Sequence, residues 1–236
     1  MDRANVHGTG VYETGAPLQF HEVVWKRKLG TGPSGFGNGG INGRIGSTPA
    51  VAAGTVYIGS ADDYLFALDA RTGTEKWKFR TAGASVNSPS VAGGVVYFSG
   101  GDGALHALDS ERGTEIWSFS LPALPVGNPF WSSSWFSNPV IVGDIVYVGN
   151  QRNEFFALDA QTGLVKWRKP VEASVEYAPA VADGMVYFGT AHGSNIGHTE
   201  TYVYALDAAT GREIWKARQS DGVAGSPAVL VLRHFK

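Results

Sequence analysis

An all-β fold, one four-stranded antiparallel sheet repeated along the chain, is predicted by three observations. A phrase running from Leu-Asp through Gly to Trp recurs as "LDARTGTEKW" (68–77), "LDSERGTEIW" (108–117), "LDAQTGLVKW" (158–167) and "LDAATGREIW" (206–215), at steps of 40, 50 and 48 residues. A second phrase precedes each copy: "STPAVAAGTVYIGS" (47–60), "NSPSVAGGVVYFSG" (87–100), "SNPVIVGDIVYVGN" (137–150) and "YAPAVADGMVYFGT" (177–190). No segment sustains an apolar period of ~3.6 residues, and the apolar pieces are short, rich in Val, Ile, Tyr and Phe, and bounded by Gly and Asp.

Within each repeat the elements follow in order. Pro49, Pro89, Pro139 and Pro179 open the first strand, a position where a missing N–H is tolerated. A Gly turn leads to a Val-Tyr-apolar strand, and a short connection leads to a third strand ending in Leu-Asp. "TVYIG" and "YLFALD" alternate their side chains across a sheet. These connections are too short for a crossover helix, so neighbouring strands must pair antiparallel. Asp69, Asp109, Asp159 and Asp207 begin the turn into the fourth strand, where a carboxylate accepts the turn's own N–H groups. Gly73, Gly113, Gly163 and Gly211 supply the positive φ that closes it. Trp77, Trp117, Trp167 and Trp215 then fall on the outer strand, placed to wedge into the seam between sheets. Burying ~200 Å² of indole contributes roughly 5 kcal/mol as an upper bound. These Asp, Gly and Trp positions are read as structural rather than catalytic. Four-stranded sheets at a period of ~40–50 residues are the pattern of a β-propeller, in which each sheet is a blade packed on the next.

At the ends, "HEVVWKRKLG" (21–30) reads as a lone outer strand carrying Trp25, and "GVAGSPAVLVL" (222–232) as a lone first strand. The expected organisation is a lead-in segment with a Gly-rich linker (1–42), four blades (43–82, 83–133, 134–173 and 174–221) and the start of a further blade (222–236). Four whole repeats flanked by orphan strands predict an open arc, part of a ring of roughly seven or eight blades. Association of two arcs to close one ring is the alternative, because an open arc exposes sticky blade faces and unpaired edges.

Composition narrows the function classes. With 236 residues the chain is long enough for a sizeable core, and a net charge of −2 asks for neither nucleic acid nor an anionic membrane. The 32 glycines are roughly twice the usual ~7%, as many tight turns require. There is no cysteine, which excludes disulfides, thiolate metal sites and a Cys nucleophile. No apolar run approaches the ~18 residues of a membrane span. Met1 is followed by Asp2 and Arg3 without an apolar stretch, so the sequence shows no signal peptide.

Ligands of propellers bind at the mouth of the central channel, near the start of each innermost strand. Alignment on the strand-opening prolines places Arg44 and Ile45, Ser85 and Val86, Trp135 and Phe136, and Val175 and Glu176 there, with Ser47, Asn87, Ser137 and Tyr177 next to them. The third repeat concentrates Phe130, Trp131, Trp135 and Phe136 in "NPFWSSSWFSNPV" (128–140). Such a cluster either stacks a planar ligand or a partner's side chain, or plugs the channel. The insertion "TAHGSNIGHTETY" (190–202) brings His192, His198 and Glu200, but their spacing matches no established ligand motif, and a solvated loop is the plainer reading. His106 stands where sister repeats have Phe66 and Tyr204 and is read as a packed or half-exposed strand histidine. "GTGPSGFGNGG" (30–40) lacks the Lys-Ser/Thr ending of a phosphate loop and reads as linker.

The repeat "SPAV-x-x-G-x-VYFGS … LYALDA-x-TG-x-x-x-W", carried by residues 44–227, resembles that of the pyrroloquinoline-quinone-like propellers. That family includes quinoprotein alcohol and sugar dehydrogenases, a BamB-like scaffold lipoprotein of outer-membrane β-barrel assembly, and sensor domains of bacterial kinases, so the resemblance speaks to fold more than to function. It implies a bacterial, periplasmic or otherwise extracytoplasmic protein. For the dehydrogenases it implies a quinone on a Trp floor beside Ca²⁺, roles that would fall to Trp135, Asn87 and Glu176. The alcohol-oxidising members carry an adjacent-cysteine pair that is missing here, and the repeats lack the large insertions of those enzymes. The expected function is a non-enzymatic scaffold or recognition module that binds a protein of the cell envelope, or a ligand, at the propeller face. It has no catalytic residue, no metal and no cofactor. The alternative is a fragment of a quinone- and Ca²⁺-dependent alcohol or sugar dehydrogenase.

Overall fold

Among the described residues, sixteen short strands form four antiparallel sheets of four strands each, every sheet built from strands consecutive in sequence. The computed structural model describes residues 23–29, 47–60, 63–83, 86–122, 136–191, 200–219 and 225–228. The first sheet comprises β1 (Ala50–Ala52), β2 (Thr55–Gly59), β3 (Tyr64–Asp69) and β4 (Glu75–Arg80). The second comprises β5 (Ser90–Ala92), β6 (Val95–Ser99), β7 (Ala104–Asp109) and β8 (Glu115–Ser120). The third comprises β9 (Val140–Val142), β10 (Ile145–Gly149), β11 (Glu154–Asp159) and β12 (Val165–Pro170), and the fourth β13 (Ala180–Ala182), β14 (Met185–Gly189), β15 (Thr201–Asp207) and β16 (Glu213–Gln219). The described residues contain no helix.

The chain divides into two compact parts, Met1–Trp135 and Phe136–Lys236, each holding two sheets. In the first, Tyr57, Leu65, Ala67, Val86, Val96, Phe98 and Leu108 form a core drawn from both sheets, with Trp77 and Phe79 packed against it. In the second, the stacked rings of Phe155 and Phe188, 4.0 Å apart, lie in a core with Tyr147, Val175, Val186, Tyr204 and Leu206. Burying an aromatic or aliphatic side chain of this kind contributes about 1.5–3 kcal/mol.

Three features differ from the sequence expectation. β2 alternates buried and half-buried residues, whereas four consecutive residues of β3, Leu65–Leu68, are buried. Within each compact part the two sheets pack face to face, which buries successive residues of a strand such as β3. The first strand starts one residue after each proline, as at Ala50 after Pro49 and Ser90 after Pro89. Residues 23–29 form no strand, and neither do 225–228. The expected orphan strands at 21–30 and 222–232 are therefore absent from the described portions of those segments.

Candidate functional site

Two sets of side chains have a claim on function: those that close the seams between sheets, and those near the start of the innermost strands. At the seams the Leu-Asp turns are built alike. Asp69 Oδ1 accepts the N–H groups of Arg71 at 3.0 Å and Thr72 at 2.8 Å, and the Thr72 hydroxyl at 2.9 Å. Asp109, Asp159 and Asp207 repeat the contact to the third residue of the turn, at 2.7, 3.0 and 2.9 Å. These donors hold the carboxyls below their usual range. Asp159, helped by Thr162 and by Lys166, falls to about 2. Each turn closes on a glycine at φ 69 to 72° (Gly73, Gly113, Gly163 and Gly211).

The turn glycine is also where the preceding indole lands. A Cβ built on Gly73, Gly113 or Gly211 would lie 2.6 Å from a ring carbon of Trp25, Trp77 or Trp167 respectively. The same indoles donate Nε1–H to the carbonyls of Ala70, Ser110 and Ala208, each at 3.0 Å. Two of those carbonyls accept a second bond: Tyr57 donates to Ser110 O and Tyr147 to Ala208 O, both at 3.0 Å. Trp117 is buried at 9% exposure, whereas Trp215 is 44% exposed. At the inner end of the seams a second glycine allows close approach. A Cβ on Gly59 would sit 2.3 Å from Val86 O, and one on Gly149 2.3 Å from Val175 Cβ.

The residues near the innermost strands are engaged locally. Ser47 donates to Gly59 O and accepts Gly59 N–H, both at 2.9 Å, and Ser137 Oγ accepts Gly149 N–H at 3.0 Å. Phe136 is buried, bridges to Asn150 and meets Phe156 edge-on at 6.2 Å. It therefore packs into the third sheet instead of offering a face to a ligand. Asn87 is half-buried and its N–H donates to Ser99 O at 3.0 Å. Glu176 is exposed and accepts the Ser174 hydroxyl at 3.1 Å, while Tyr177 is half-buried. Arg44, Ile45, Ser85, Phe130, Trp131, Trp135, His192 and His198 lie outside the described residues. Glu200 is held by the Tyr202 hydroxyl and by Arg218 at 3.0 Å.

Asn87 belongs to one compact part and Glu176 to the other. Among the described residues no three His, Asp or Glu side chains converge as a metal site would require.

His106 is more deeply placed than a half-exposed strand residue, with its side chain 8% accessible. Its Nδ1 lies 2.7 Å from Glu115 Oε1 and its Nε2 3.1 Å from Asp102 Oδ2. The ring stacks on Phe98 at 5.0 Å and meets Phe79 at 5.6 Å. With both nitrogens engaged by carboxylates, the imidazole has none left to take a proton from a substrate, so this Asp-His-Glu group is not a general-base arrangement. No helix among the described residues is long and apolar enough to cross a membrane.

Comparison with known proteins agrees with the architecture. The family model described as outer membrane protein assembly factor BamB matches residues 21–126 and again 122–233. BamB from Moraxella catarrhalis superposes with a TM-score of 0.53 at 20% identity, covering 72% of this chain and 63% of that one. A quinohemoprotein alcohol dehydrogenase from Comamonas testosteroni gives 0.61 at 23% identity, over 75% of this chain and 35% of the enzyme. The computationally designed protein Ika4 gives 0.53 at 18% identity, over 68% of this chain and 90% of the design. The chain thus spans less than two thirds of the two natural proteins. No curated protein matches. These likenesses show the fold, that of β-propeller blades.

Proposed function

Starting from a chain that belongs to the family of the outer membrane protein assembly factor BamB, we propose that it is a non-enzymatic propeller scaffold of the cell envelope, presenting a rigid surface to protein partners. The observation that carries this reading is the double family match, which runs through all four repeats. The use of the repeated polar side chains supports it. The turn carboxylates bind their own backbone, the indole N–H groups bind the next turn, and the serines beside the inner strands tie strand to strand. Groups committed in this way build a stiff frame and leave little for chemistry. Placement in the periplasm follows from the same family and belongs to the proposal.

The test uses the full-length protein in two assays. Affinity purification from solubilised envelope should recover one envelope protein at fixed stoichiometry, and titration with pyrroloquinoline quinone and Ca²⁺ should leave thermal stability and the quinone spectrum unchanged. Tight quinone binding with dye-linked oxidation of an alcohol or sugar would overturn the proposal in favour of a dehydrogenase. Binding of a small molecule without turnover, and no stoichiometric protein partner, would overturn it in favour of a sensor domain.

A further inference from the structure

The seams carry a second pattern besides the indoles. Two residues after Trp25 and after Trp167 stands a cation that pairs with the glutamate two before the Trp of the next sheet. At the first seam these are Arg27 and Glu75, paired at 3.1 Å. At the seam between the third and fourth sheets they are Lys169 and Glu213, also at 3.1 Å. Between the first and second sheets the glutamate is kept, as Glu115, but the cation is replaced by Phe79. A phenyl ring cannot neutralise a carboxylate, and here the second sheet supplies the missing donor from its own third strand. Where the first, third and fourth sheets have Phe66, Phe156 and Tyr204, the second has His106, which reaches Glu115 through Nδ1 and Asp102 through Nε2.

We propose that His106 is a proton-operated clamp on the seam between the first and second sheets, holding it shut when the imidazole carries both protons and releasing it when one is lost. An imidazolium has two N–H donors, one for each carboxylate. A neutral ring has one N–H and one bare lone pair, which would face a carboxylate oxygen across the same short distance. The loss falls on the seam itself, because the ring also fills the space between Phe98 of its own sheet and Phe79 of the neighbour.

The surroundings favour the charged form. Burial opposes the charge, yet the hydrogen bonds and charges of Asp102 and Glu115 outweigh it and hold His106 above its ordinary 6.5. The same contact, with the N–H groups of Ala104 at 3.1 Å and Ala82 at 3.4 Å, holds Asp102 below 3.8. Among the described residues, β6 and β4 meet the ring with the uncharged Phe98 and Phe79. Lys78 and Arg80, the charged neighbours on β4, lean toward Glu75 and Asp63, each at 3.8 Å. A group raised in the folded state stabilises below its unfolded value and loses that contribution as pH rises through its folded value. The clamp is therefore closed below the ordinary imidazole value of 6.5 and opens as pH rises through the raised folded value.

The test is made on the full chain. The His106 ring protons, identified as the signal missing from His106→Phe, should titrate in NMR with a midpoint above 6.5, and Glu115→Gln should lower that midpoint. Exchange of the Trp77 indole N–H, which reports the seam through its bond to Ser110 O, should lose protection through that midpoint after correction for intrinsic base catalysis. In Phe79→Lys/His106→Phe, where a cross-seam cation replaces the histidine, protection should stay constant over the same range. A His106 midpoint at or below 6.5 in the unaltered chain overturns the proposal. So does Trp77 protection with the same pH profile in both proteins.

Discussion

Alanine at position 113 would put a methyl group where an indole lies. Gly113 sits at φ 69°, and a Cβ there would fall 2.6 Å from Trp77 Cδ2 and 2.7 Å from Cε3, too close for either atom to stay. Two separable penalties follow. The left-handed backbone costs roughly 1–2 kcal/mol for any L-residue. The clash adds to this because the indole must leave its place, giving up its bond to Ser110 O, about 1 kcal/mol, and part of its packing against Tyr57. Trp77→Ala alone loses the same bond and packing, about 3 kcal/mol for a partly buried ring at the low end of large aromatic truncations. In the double variant the methyl group meets empty space, so only the backbone penalty remains for Gly113→Ala. A double-mutant cycle by urea denaturation, followed by far-UV circular dichroism, should give a coupling of about 2 kcal/mol, with the pair less destabilised than the sum. Additivity within ~0.5 kcal/mol would mean that the glycine is not there to admit the ring, and the account of the seam would fail.

Within the second compact part, Trp167→Ala should cost about 3 kcal/mol and Trp215→Ala under ~1 kcal/mol, since Trp167 bonds Ala208 O while Trp215 is 44% exposed; equal costs would contradict the burial argument. Tyr147→Phe removes one of the two bonds to Ala208 O and should lower stability by about 0.5–1.5 kcal/mol in the same denaturation assay. Asp159 has a folded value of about 2 against 3.8, so its contribution is complete above 3.8 and disappears as pH falls toward 2. Acid unfolding of Asp159→Asn should therefore be less steep over that interval than that of the unaltered chain, and matching profiles would show that the turn does not depend on the charge.

The fold was legible because its determinants are local and repeated. Asp69 to Gly73 is a turn whose donors, acceptor and positive φ all lie within five residues, so the string itself contains the physics. Four copies at similar spacing then leave little freedom for any other pairing. The tyrosines of the Val-Tyr phrase were equally visible, yet their role was not, since Tyr57 reaches Ser110 only across a seam. One β-bulge in each outer hairpin, such as that between Ala67 and Leu68, was also unmarked in the sequence. It slips the register so that Trp77 faces Ala67 while Glu75 faces Leu68, a shift that turns the residue before each Trp outward.

The site was less legible for the same reason read in reverse. Aligning the repeats brings equivalent residues of one sheet together, but a seam joins non-equivalent positions of two sheets. Read down its own column, His106 among Phe66, Phe156 and Tyr204 looks like an ordinary aromatic substitution. Read across the seam, Phe79 against Glu115 looks like a missing ion pair. Only the packing of one sheet on the next shows that these two departures answer each other, with the imidazole reaching the carboxylate that the phenyl ring cannot pair. A column of repeats reports what each sheet needs to fold. The departures from it, taken in facing pairs, report how one sheet is matched to the next, and in a chain built of near-identical sheets the seams are where such a difference can be regulated.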